Sequence, residues 1–287
     1  MTATTTDEQL HQQRPRETGE RMNLKALIFD VDGTLAETEE IHRKAFNRAF
    51  AEAGLDWRWS RERYRELLAI SGGKERIRLY IEQEHRDFLQ RPNLQEWIAG
   101  LHKNKTAIYA DIIAAGEVEL RPGVERLIRE ARQAGLKLAI ATTTSMSNIV
   151  ALFDATLGRE ALDWFDAIGA AEQAPNKKPD SSVYLWVLEN LALSGSDCVA
   201  IEDTRNGVLA ATGAGIPVLV TQSFYSEGED FTGALAVLSD LGEPDHPYRV
   251  LAGVENMPGW VEPGRLARWL ESAEIPADTT TGKVEVG

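Results

Sequence analysis

Residues 24–34 read LKALIFDVDGT, a short apolar run that ends in two aspartates and a glycine. A near-continuous apolar run is typical of a strand that is buried on both faces of a parallel sheet. In an extended backbone Asp30 and Asp32 point to the same face, so both carboxylates can approach one centre. Gly33 permits the tight turn that follows. The motif therefore indicates a ligand site at the carboxyl end of a strand, or else an Asp/Gly turn that merely ends the strand.

Four further apolar runs follow along the chain, each with a turn signal after it. They read LKLAIAT, FDAIGA, CVAIED and IPVLVT, at residues 136–142, 165–170, 198–203 and 216–221. Helical patterns separate the later runs, and one of them begins after Pro122 and ends at Gly135. This alternation of strands and helices predicts an α/β fold built on a doubly wound parallel sheet.

The interval from about residue 36 to residue 116 contains no convincing strand. Its apolar residues recur at helical spacing, as in the sets Ile41, Ala45, Phe46, Ala49, Phe50 and Leu94, Trp97, Ile98, Leu101. The pattern predicts three or four helices inserted after the first strand. The predicted organisation is a disordered leader at 1–22, a catalytic core at 23–36 and 117–240, a helical cap at 37–116, and a C-terminal appendage and tail at 241–287.

Charge and cysteine content restrict the class of function. The chain has 287 residues with 31 Lys and Arg against 45 Asp and Glu, a net charge of −14 that disfavours nucleic acid and anionic membranes as partners. The single cysteine, Cys198, excludes an internal disulfide and is typical of a reducing compartment. No run approaches the roughly 18 apolar residues of a membrane span. We therefore expect a soluble cytoplasmic monomer that binds neither nucleic acid nor membranes.

A second acidic pair, Glu202-Asp203, ends the fourth predicted strand within the sequence IEDTRNG. Acidic residues at two strand ends, without a cluster of Cys or His, suit a hard cation such as Mg²⁺ that also binds substrate phosphate. The alternative is an acidic helix cap before Asn206-Gly207. Together with Asp30 and Asp32, the pair favours a magnesium site.

Two further motifs could bind an anion. Thr142, Thr143 and Thr144 end the second strand just before a helix, where hydroxyls and free N–H groups form an anion cradle, or else a plain N-cap. Lys178 precedes Pro179, which favours an extended backbone, and could bring a fixed positive charge to a phosphate. A solvated loop charge is the alternative for Lys178.

These four motifs, in this order, resemble the haloacid dehalogenase-like hydrolase superfamily in its phosphatase branch, over about residues 24–225. The resemblance implies a Rossmann-like sheet with an inserted helical cap. It also implies that Asp30 is the nucleophile that forms an aspartyl phosphate. Asp32 would protonate the leaving alkoxide and then activate water, while Thr142 and Lys178 would hold the phosphate.

The same resemblance implies a metal site. Asp30, the backbone carbonyl of Asp32 and Asp203 would bind Mg²⁺, and Glu202 would act through a bound water. Phosphoryl transfer depends mostly on positioning and charge neutralisation, which agrees with these assignments. His42 is expected only to pack at the hinge of the cap, beside the apolar face of its helix.

The cap contains a narrower match. The run DVDGTLAETEEIHRKAF at residues 30–46, then Tyr64 and SGGKERI at residues 71–77, resembles CbbY-type phosphatases, which remove a phosphate from xylulose 1,5-bisphosphate. By this resemblance the sugar and its second phosphate would be held by Glu39, Tyr64, Gly72, Gly73, Lys74 and Arg76. The chain departs from the usual Lys-Pro-Ala-Pro-Asp at Lys178, where Asp180, Ser181 and Ser182 follow Pro179.

Three functional hypotheses follow. The first is a Mg²⁺-dependent sugar-phosphate phosphatase acting on a small-molecule bisphosphate, with xylulose 1,5-bisphosphate as the expected substrate. The second is a sugar-phosphate mutase, because β-phosphoglucomutase relatives share the motifs and a similar cap. The third, a non-catalytic binding protein, is disfavoured because every catalytic position is filled.

Overall fold

The computed structural model describes residues 24–70, 72–116, 118–253 and 259–272. The predicted leader at 1–22 and the end of the predicted tail lie outside these residues. Within the part of the chain that is described, no helix is both long and apolar enough to cross a membrane.

A sheet of seven strands forms the core, in the spatial order β3-β2-β1-β4-β5-β6-β7. Strands β1 to β6 run parallel, and β7 pairs antiparallel with β6 at the edge. The strands are β1 (Ala26–Phe29), β2 (Lys137–Ala141), β3 (Ala167–Gly169), β4 (Cys198–Glu202), β5 (Val218–Thr221), β6 (Ala236–Leu238) and β7 (Val250–Gly253). The predicted α/β fold with a parallel sheet is confirmed. Strands β6 and β7 are additions that the sequence analysis does not predict.

Helices cover both faces of the sheet because the strand side chains on both faces are apolar. Leu27 and Phe29 belong to one buried cluster, whereas Ala26 and Ile28 belong to another. The first cluster includes the core helices α5 (Val124–Gln133), α6 (Met146–Ala155) and α9 (Pro263–Ser272), and the second includes α7 (Ser182–Leu191) and α8 (Arg205–Gly213). This arrangement is the doubly wound layering that the sequence predicts.

Between β1 and α5 the chain forms the inserted helical block. Its helices are α1 (Thr38–Glu52), α2 (Arg61–Leu67), α3 (Gly73–Glu84) and α4 (Leu94–Ala114), with a 3₁₀ turn at Arg86–Gln90. The two chain crossings between core and cap lie side by side, since Ala36 and Leu120 form an isolated β-bridge. The cap consequently stands over the end of β1 that carries Asp30 and Asp32.

Candidate active site

Three buried carboxylates meet at the carboxyl ends of β1 and β4. Phe29 is in register with Ile201, so Asp30 lies beside the Glu202-Asp203 pair, and the Asp30 amide donates to the Ile201 carbonyl at 3.0 Å. Asp30, Glu202 and Asp203 each offer one oxygen, and these three oxygens all lie within 4.8 Å of one another. The parallel pairing of two strands therefore brings together the acids that the sequence predicts at their ends.

The electrostatics of this cluster fit a bound divalent cation. Burial raises the pKa of Asp30 to about 7, although the nearby Lys178 opposes the shift, and burial raises the pKa of Asp203 well above its ordinary value. Among the described residues, Glu202 Oε2 and Asp203 Oδ1 are buried without a hydrogen-bond partner. Unpaired buried anions are costly, and an oxygen-only donor set suits a hard cation. The residues present therefore match a divalent metal site.

Gly33 makes room for this cluster. Its φ of +83° lies in the left-handed region, and a Cβ atom there would stand 2.1 Å from Asp203 Oδ2. A side chain at this position would displace the Asp203 carboxylate. The glycine of the DVDGT motif is thus required both for its turn and for the close approach of Asp203.

Lys178 is the buried cation of the cluster. Its Nζ donates to Asp30 Oδ1 and to Glu202 Oε1, both at 2.6 Å, and the Tyr184 hydroxyl donates to the same Glu202 oxygen. Burial alone would lower the pKa of Lys178, but the two carboxylates outweigh it and raise the pKa, so the ammonium stays charged. The unusual Asp180 accepts a hydrogen bond from the Ser182 amide at 2.9 Å and so begins α7.

The three threonines after β2 divide between two parts of the site. Thr142 and Thr143 line the cavity next to Asp30, and Thr143 and Thr144 line the cavity beside the cap. Thr142 Oγ1 accepts from the Thr144 amide at 3.2 Å, and Thr144 Oγ1 accepts from Asn148 at 2.9 Å. Thr144 is therefore engaged with its own helix, whereas Thr143 is shared by both cavities.

Asp32 lies at the centre of a network that the sequence analysis does not predict. Its Oδ1 accepts from the Thr38 hydroxyl at 2.5 Å and contacts His42 Nε2 at 3.2 Å, while His42 Nδ1 lies 2.7 Å from Lys105 Nζ. Burial by itself raises the pKa of Asp32, but His42 and Thr38 outweigh it and lower the pKa to about 2. These contacts favour the carboxylate form of Asp32, which adjoins His42, with Lys105 on the far side of the ring.

The expectation that His42 only packs at the hinge is therefore incomplete. His42 does stack on Tyr109, with ring centres 4.1 Å apart, but its Nε2 also faces Asp32. The spacing of Thr38 and His42 on one helix face was the available signal. Lys105 comes from α4, 63 residues further along the chain, and its contact depends on tertiary packing.

The cap residues converge through hydrogen bonds. The Tyr64 hydroxyl donates to Glu39 Oε2 at 2.6 Å and accepts from Arg76 Nη1 at 2.9 Å. Glu39 and Arg76 line the cavity, whereas Tyr64 is fully buried behind them. The predicted substrate-binding residue Tyr64 is therefore placed to orient its two neighbours.

The glycines of the cap motif lie at a helix start, as predicted. Gly72 caps α3 with a φ of +102°, and a Cβ at Gly73 would lie 2.4 Å from His102 Nε2. Lys74 is exposed on the first turn of the same helix. Free N–H groups and a cation consequently face the cavity beside the cap.

The site cavity has two adjoining lobes. The catalytic lobe, of about 310 Å³, contains Asp30, Lys178 and Asp203. The basic lobe, of about 430 Å³, contains Lys74, Lys105 and Lys177, and Glu75 pairs with Lys177 there at 3.0 Å. Both lobes are lined by the same five residues at their junction, namely Asp32, Glu39, Gly72, Arg76 and Thr143. The cavity thus joins an acidic end to an end where lysines and an arginine outnumber the acids.

Arg121 is a second residue that the sequence analysis misses. It is buried and donates to the Gly33 carbonyl, to the Thr221 and Gln222 carbonyls at 2.8 Å, and to the Ser239 carbonyl at 2.8 Å. It thereby joins the turn after Asp32 to the ends of β5 and β6. An arginine just after the insertion was visible in the sequence, but nothing there indicates which carbonyls it reaches.

A family model for haloacid dehalogenase-like hydrolases matches residues 24–215. The chain belongs to the haloacid dehalogenase-like hydrolases. The expected family and the α/β core with a helical cap are confirmed. The acids at the ends of β1 and β4 form the candidate catalytic centre of this hydrolase.

Relatives of the CbbY type are similar over most of the chain. Protein CbbY of Rhodobacter capsulatus is 50% identical over 220 residues, which cover 77% of this chain and 95% of that protein. The plasmid protein CbbY of Cupriavidus necator is 47% identical over 254 residues, covering 88% and 96%. The CbbY-type resemblance is thus confirmed, and with it the expectation that the chain is a phosphatase.

Solved structures agree with this family. A crystal structure of CbbY from Rhodobacter sphaeroides in complex with phosphate has a TM-score of 0.69 at 44% identity and covers 76% of this chain and 94% of that chain. A mutant of that protein was crystallised in complex with xylulose-(1,5)bisphosphate, with the same similarity. A β-phosphoglucomutase from Clostridium difficile, at 20% identity and a TM-score of 0.61, shares the fold.

Proposed function

We propose that this phosphatase is Mg²⁺-dependent and converts xylulose 1,5-bisphosphate to xylulose 5-phosphate. The two-lobed cavity carries the proposal. One phosphate fits beside Asp30 and Lys178, and a second fits the cationic lobe at the start of α3. The complex of a CbbY relative with xylulose-(1,5)bisphosphate supports the same substrate.

The reaction begins on Asp30. Its carboxylate attacks phosphorus, and the bond to the sugar oxygen breaks as that oxygen takes a proton from the protonated form of Asp32. Lys178 and Thr142 hold the oxygens of the transferred group. Water then attacks the aspartyl phosphate while Asp32 accepts the proton of that water, which releases phosphate and restores Asp30.

Asp30, the backbone carbonyl of Asp32 and Asp203 would hold Mg²⁺ in this scheme, with Glu202 acting through a water. Glu202 Oε1 is already bound by Lys178 and Tyr184, which agrees with an indirect role. When bound, the ion neutralises charge on the phosphoryl oxygens. The chain's own groups perform the attack and the proton transfers.

The cap residues select the rest of the substrate. Glu39 accepts a hydrogen bond from a hydroxyl of the sugar. The second phosphate is bound by the N–H groups of Gly72 and Gly73 and by the side chains of Lys74 and Arg76. Tyr64 fixes the orientation of Glu39 and Arg76 from behind. Thr143 borders the passage between the lobes, and Thr144 lines the basic lobe.

The decisive experiment measures phosphate release from a panel of sugar monophosphates and bisphosphates. We expect the largest kcat/KM for xylulose 1,5-bisphosphate, with one phosphate released per substrate and xylulose 5-phosphate as the product. Equal turnover of monophosphates would contradict the substrate assignment. An isomerised sugar phosphate without free phosphate would instead identify a mutase.

Lys74 offers a direct test of the second-phosphate site. Its side chain is exposed, so Lys74→Ala removes a charge from the basic lobe without opening the core. We expect kcat/KM to fall roughly tenfold for the bisphosphate and to stay unchanged for an aryl phosphate, since a charge-assisted hydrogen bond contributes about 1.5–3 kcal/mol. Arg78→Ala is the matched control, because Arg78 lies on α3 outside both lobes and pairs with Glu82.

Variants of Arg76 and Lys178 distinguish the site of the second phosphate from the site of the transferred phosphate. Arg76→Ala should reduce bisphosphate turnover far more than monophosphate turnover, whereas Lys178→Ala should reduce both. Arg76 also donates to the Leu67 carbonyl at 3.3 Å, so the ratio of the two losses is compared, which cancels a general loss of cap stability. A monomeric state and a cytoplasmic location remain predictions.

A further inference from the structure

A loop of the core reaches across to the cap. This loop, residues 222–231, lies between β5 and β6, and the Tyr225 hydroxyl donates to Glu40 Oε2 on α1. The Arg61 guanidinium lies 3.9 Å from the Phe224 ring centre. Arg65 donates to a carbonyl of the same loop. The loop thus contacts both α1 and α2 on the cap.

Within this loop, Glu229 and Tyr225 border the catalytic lobe, and it is the side chain of Tyr225 that also bonds to the cap. It is only 5% exposed, and its ring packs edge-on against the Tyr64 ring, with centres 5.6 Å apart and planes at 88°. Tyr64 in turn holds Glu39 and Arg76 by its hydroxyl. A core residue therefore buttresses the tyrosine that orients the cap side of the site.

The partner of the Tyr225 hydroxyl is itself held in place. Arg43 donates to both oxygens of Glu40, at 3.0 and 2.6 Å, and these hydrogen bonds lower the pKa of Glu40. Glu40 is consequently a fixed, ionised acceptor. The hydroxyl of Tyr225 reaches it only while the cap rests on the core, because Glu40 belongs to the cap and Tyr225 to the core.

On the core side the loop is anchored near the catalytic centre. Arg121 donates to the Gln222 carbonyl at 2.8 Å and also to the Gly33 carbonyl beside the metal-binding acids. The Ser223 amide donates to Ser226 Oγ at 2.9 Å, which closes the turn that carries Tyr225. The position of Tyr225 is therefore fixed relative to the catalytic loop.

We propose that Tyr225 is a positioning residue that couples closure of the cap to correct placement of Glu39 and Arg76 around the sugar. This inference rests on the proposed function, in which those two residues bind the sugar bisphosphate. When the cap moves away, Tyr64 loses its edge contact and Glu40 loses its hydroxyl donor. Binding of the sugar moiety of the substrate is then coupled to closure of the cap.

Tyr225→Phe tests the proposal because it keeps the ring and removes the hydroxyl. We expect KM for xylulose 1,5-bisphosphate to rise about tenfold, as for loss of a hydrogen bond to a charged group, while kcat/KM for p-nitrophenyl phosphate changes less than about twofold. Tyr248→Phe is the matched control, because Tyr248 is buried in the C-terminal segment and accepts a hydrogen bond from Arg265. Equal losses on both substrates, or no loss, would overturn the proposal.

Hydrogen exchange of backbone amides tests the role of Tyr225 independently of the substrate assignment. In the protein without substrate, amides of α2 should exchange about threefold faster or more in Tyr225→Phe than in the wild type, because the cap is released from the core more often. Unchanged exchange would refute the coupling. If the wild type fails to hydrolyse xylulose 1,5-bisphosphate, the proposed function fails, and the exchange rates still decide the role of Tyr225.

Discussion

The Asp30 carboxylate is buried and shares the Lys178 ammonium with Glu202. Asparagine has nearly the same shape and keeps an acceptor oxygen for Lys178, but its amide cannot act as a nucleophile. We expect Asp30→Asn to fold normally and to keep less than about a hundredth of wild-type activity. Phosphate release and a thermal melt check both statements, and a larger residual rate would exclude Asp30 as the nucleophile.

Asp32 has different neighbours from Asp30, and we expect Asp32→Asn to have a different kinetic effect from Asp30→Asn. Thr38 and His42 can still bond to an asparagine at position 32, but proton transfer is lost. With an activated aryl phosphate, whose leaving group needs no proton, Asp32→Asn should still form the aspartyl enzyme and then hydrolyse it slowly. Rapid-quench kinetics should therefore show a burst of aryl alcohol, and an unchanged steady-state rate would contradict this role.

The residues that the sequence predicts at the site are mostly those at strand ends. Asp30, Glu202 and Asp203 could be placed together because the carboxyl ends of parallel strands meet at one edge. Lys105 and Arg121 could not, since each acts through contacts with segments remote along the chain. A buried arginine that donates to backbone carbonyls, as Arg121 does, has no sequence pattern around it that predicts which carbonyls it contacts.

At the level of elements, the strands that the sequence predicts are those that coincide with apolar runs followed by turn signals. Four of the five are internal strands of the sheet and apolar on both faces, and the fifth, β3, is a three-residue edge strand. Strand β6 has only three residues, and β7 is a four-residue edge strand with mostly exposed positions. Length alone does not separate them from the predicted strands, since β3 also has three residues, and periodicity cannot identify segments this short. The helices of the cap, with 7 to 21 residues, show their periodicity directly.

The contact between α3 and α4 provides a pH-dependent test of the cap. Burial lowers the pKa of His102 to about 4, and Lys105 and Lys74 add to the shift. The unfolded chain, with a His pKa near 6.5, binds a proton that the folded protein does not. Between pH 6.5 and 4 the free energy of unfolding should therefore fall on acidification, by about 1–3 kcal/mol from His102 alone.

Denaturant unfolding at pH 7 and pH 4.5 measures this contribution. His102→Gln should lose less stability on acidification than the wild type, because glutamine does not titrate. His246→Gln is the control, since His246 is an exposed histidine in the C-terminal segment. An acid decline of equal size in His102→Gln and the wild type would show that His102 does not contribute.

At the scale of the molecule, cap and core share one apolar cluster. Leu27 and Phe29 of β1 belong to the same buried set as Ile41 and Phe50 of the cap. The buried acids of the candidate centre lie where these two bodies meet. In the proposed function, the rigid parallel sheet holds the reacting groups and the inserted helices supply selectivity for the rest of the substrate.

The buried acids predict that the stability of the whole protein depends on a divalent metal ion. Three carboxylates face one another with one buried ammonium between two of them, so folding without a cation leaves negative charge uncompensated. An ion that binds only the folded state stabilises it by about 2.7 kcal/mol at a hundred times its Kd, which should raise Tm by roughly 5 °C or more.

We expect EDTA to abolish activity and Mg²⁺ to restore both activity and this increase in Tm. Asp203→Asn should melt at the same temperature with EDTA and with Mg²⁺, because its amide removes a ligand and a buried charge together. A Mg²⁺-dependent Tm in Asp203→Asn equal to that of the wild type would place the ion elsewhere.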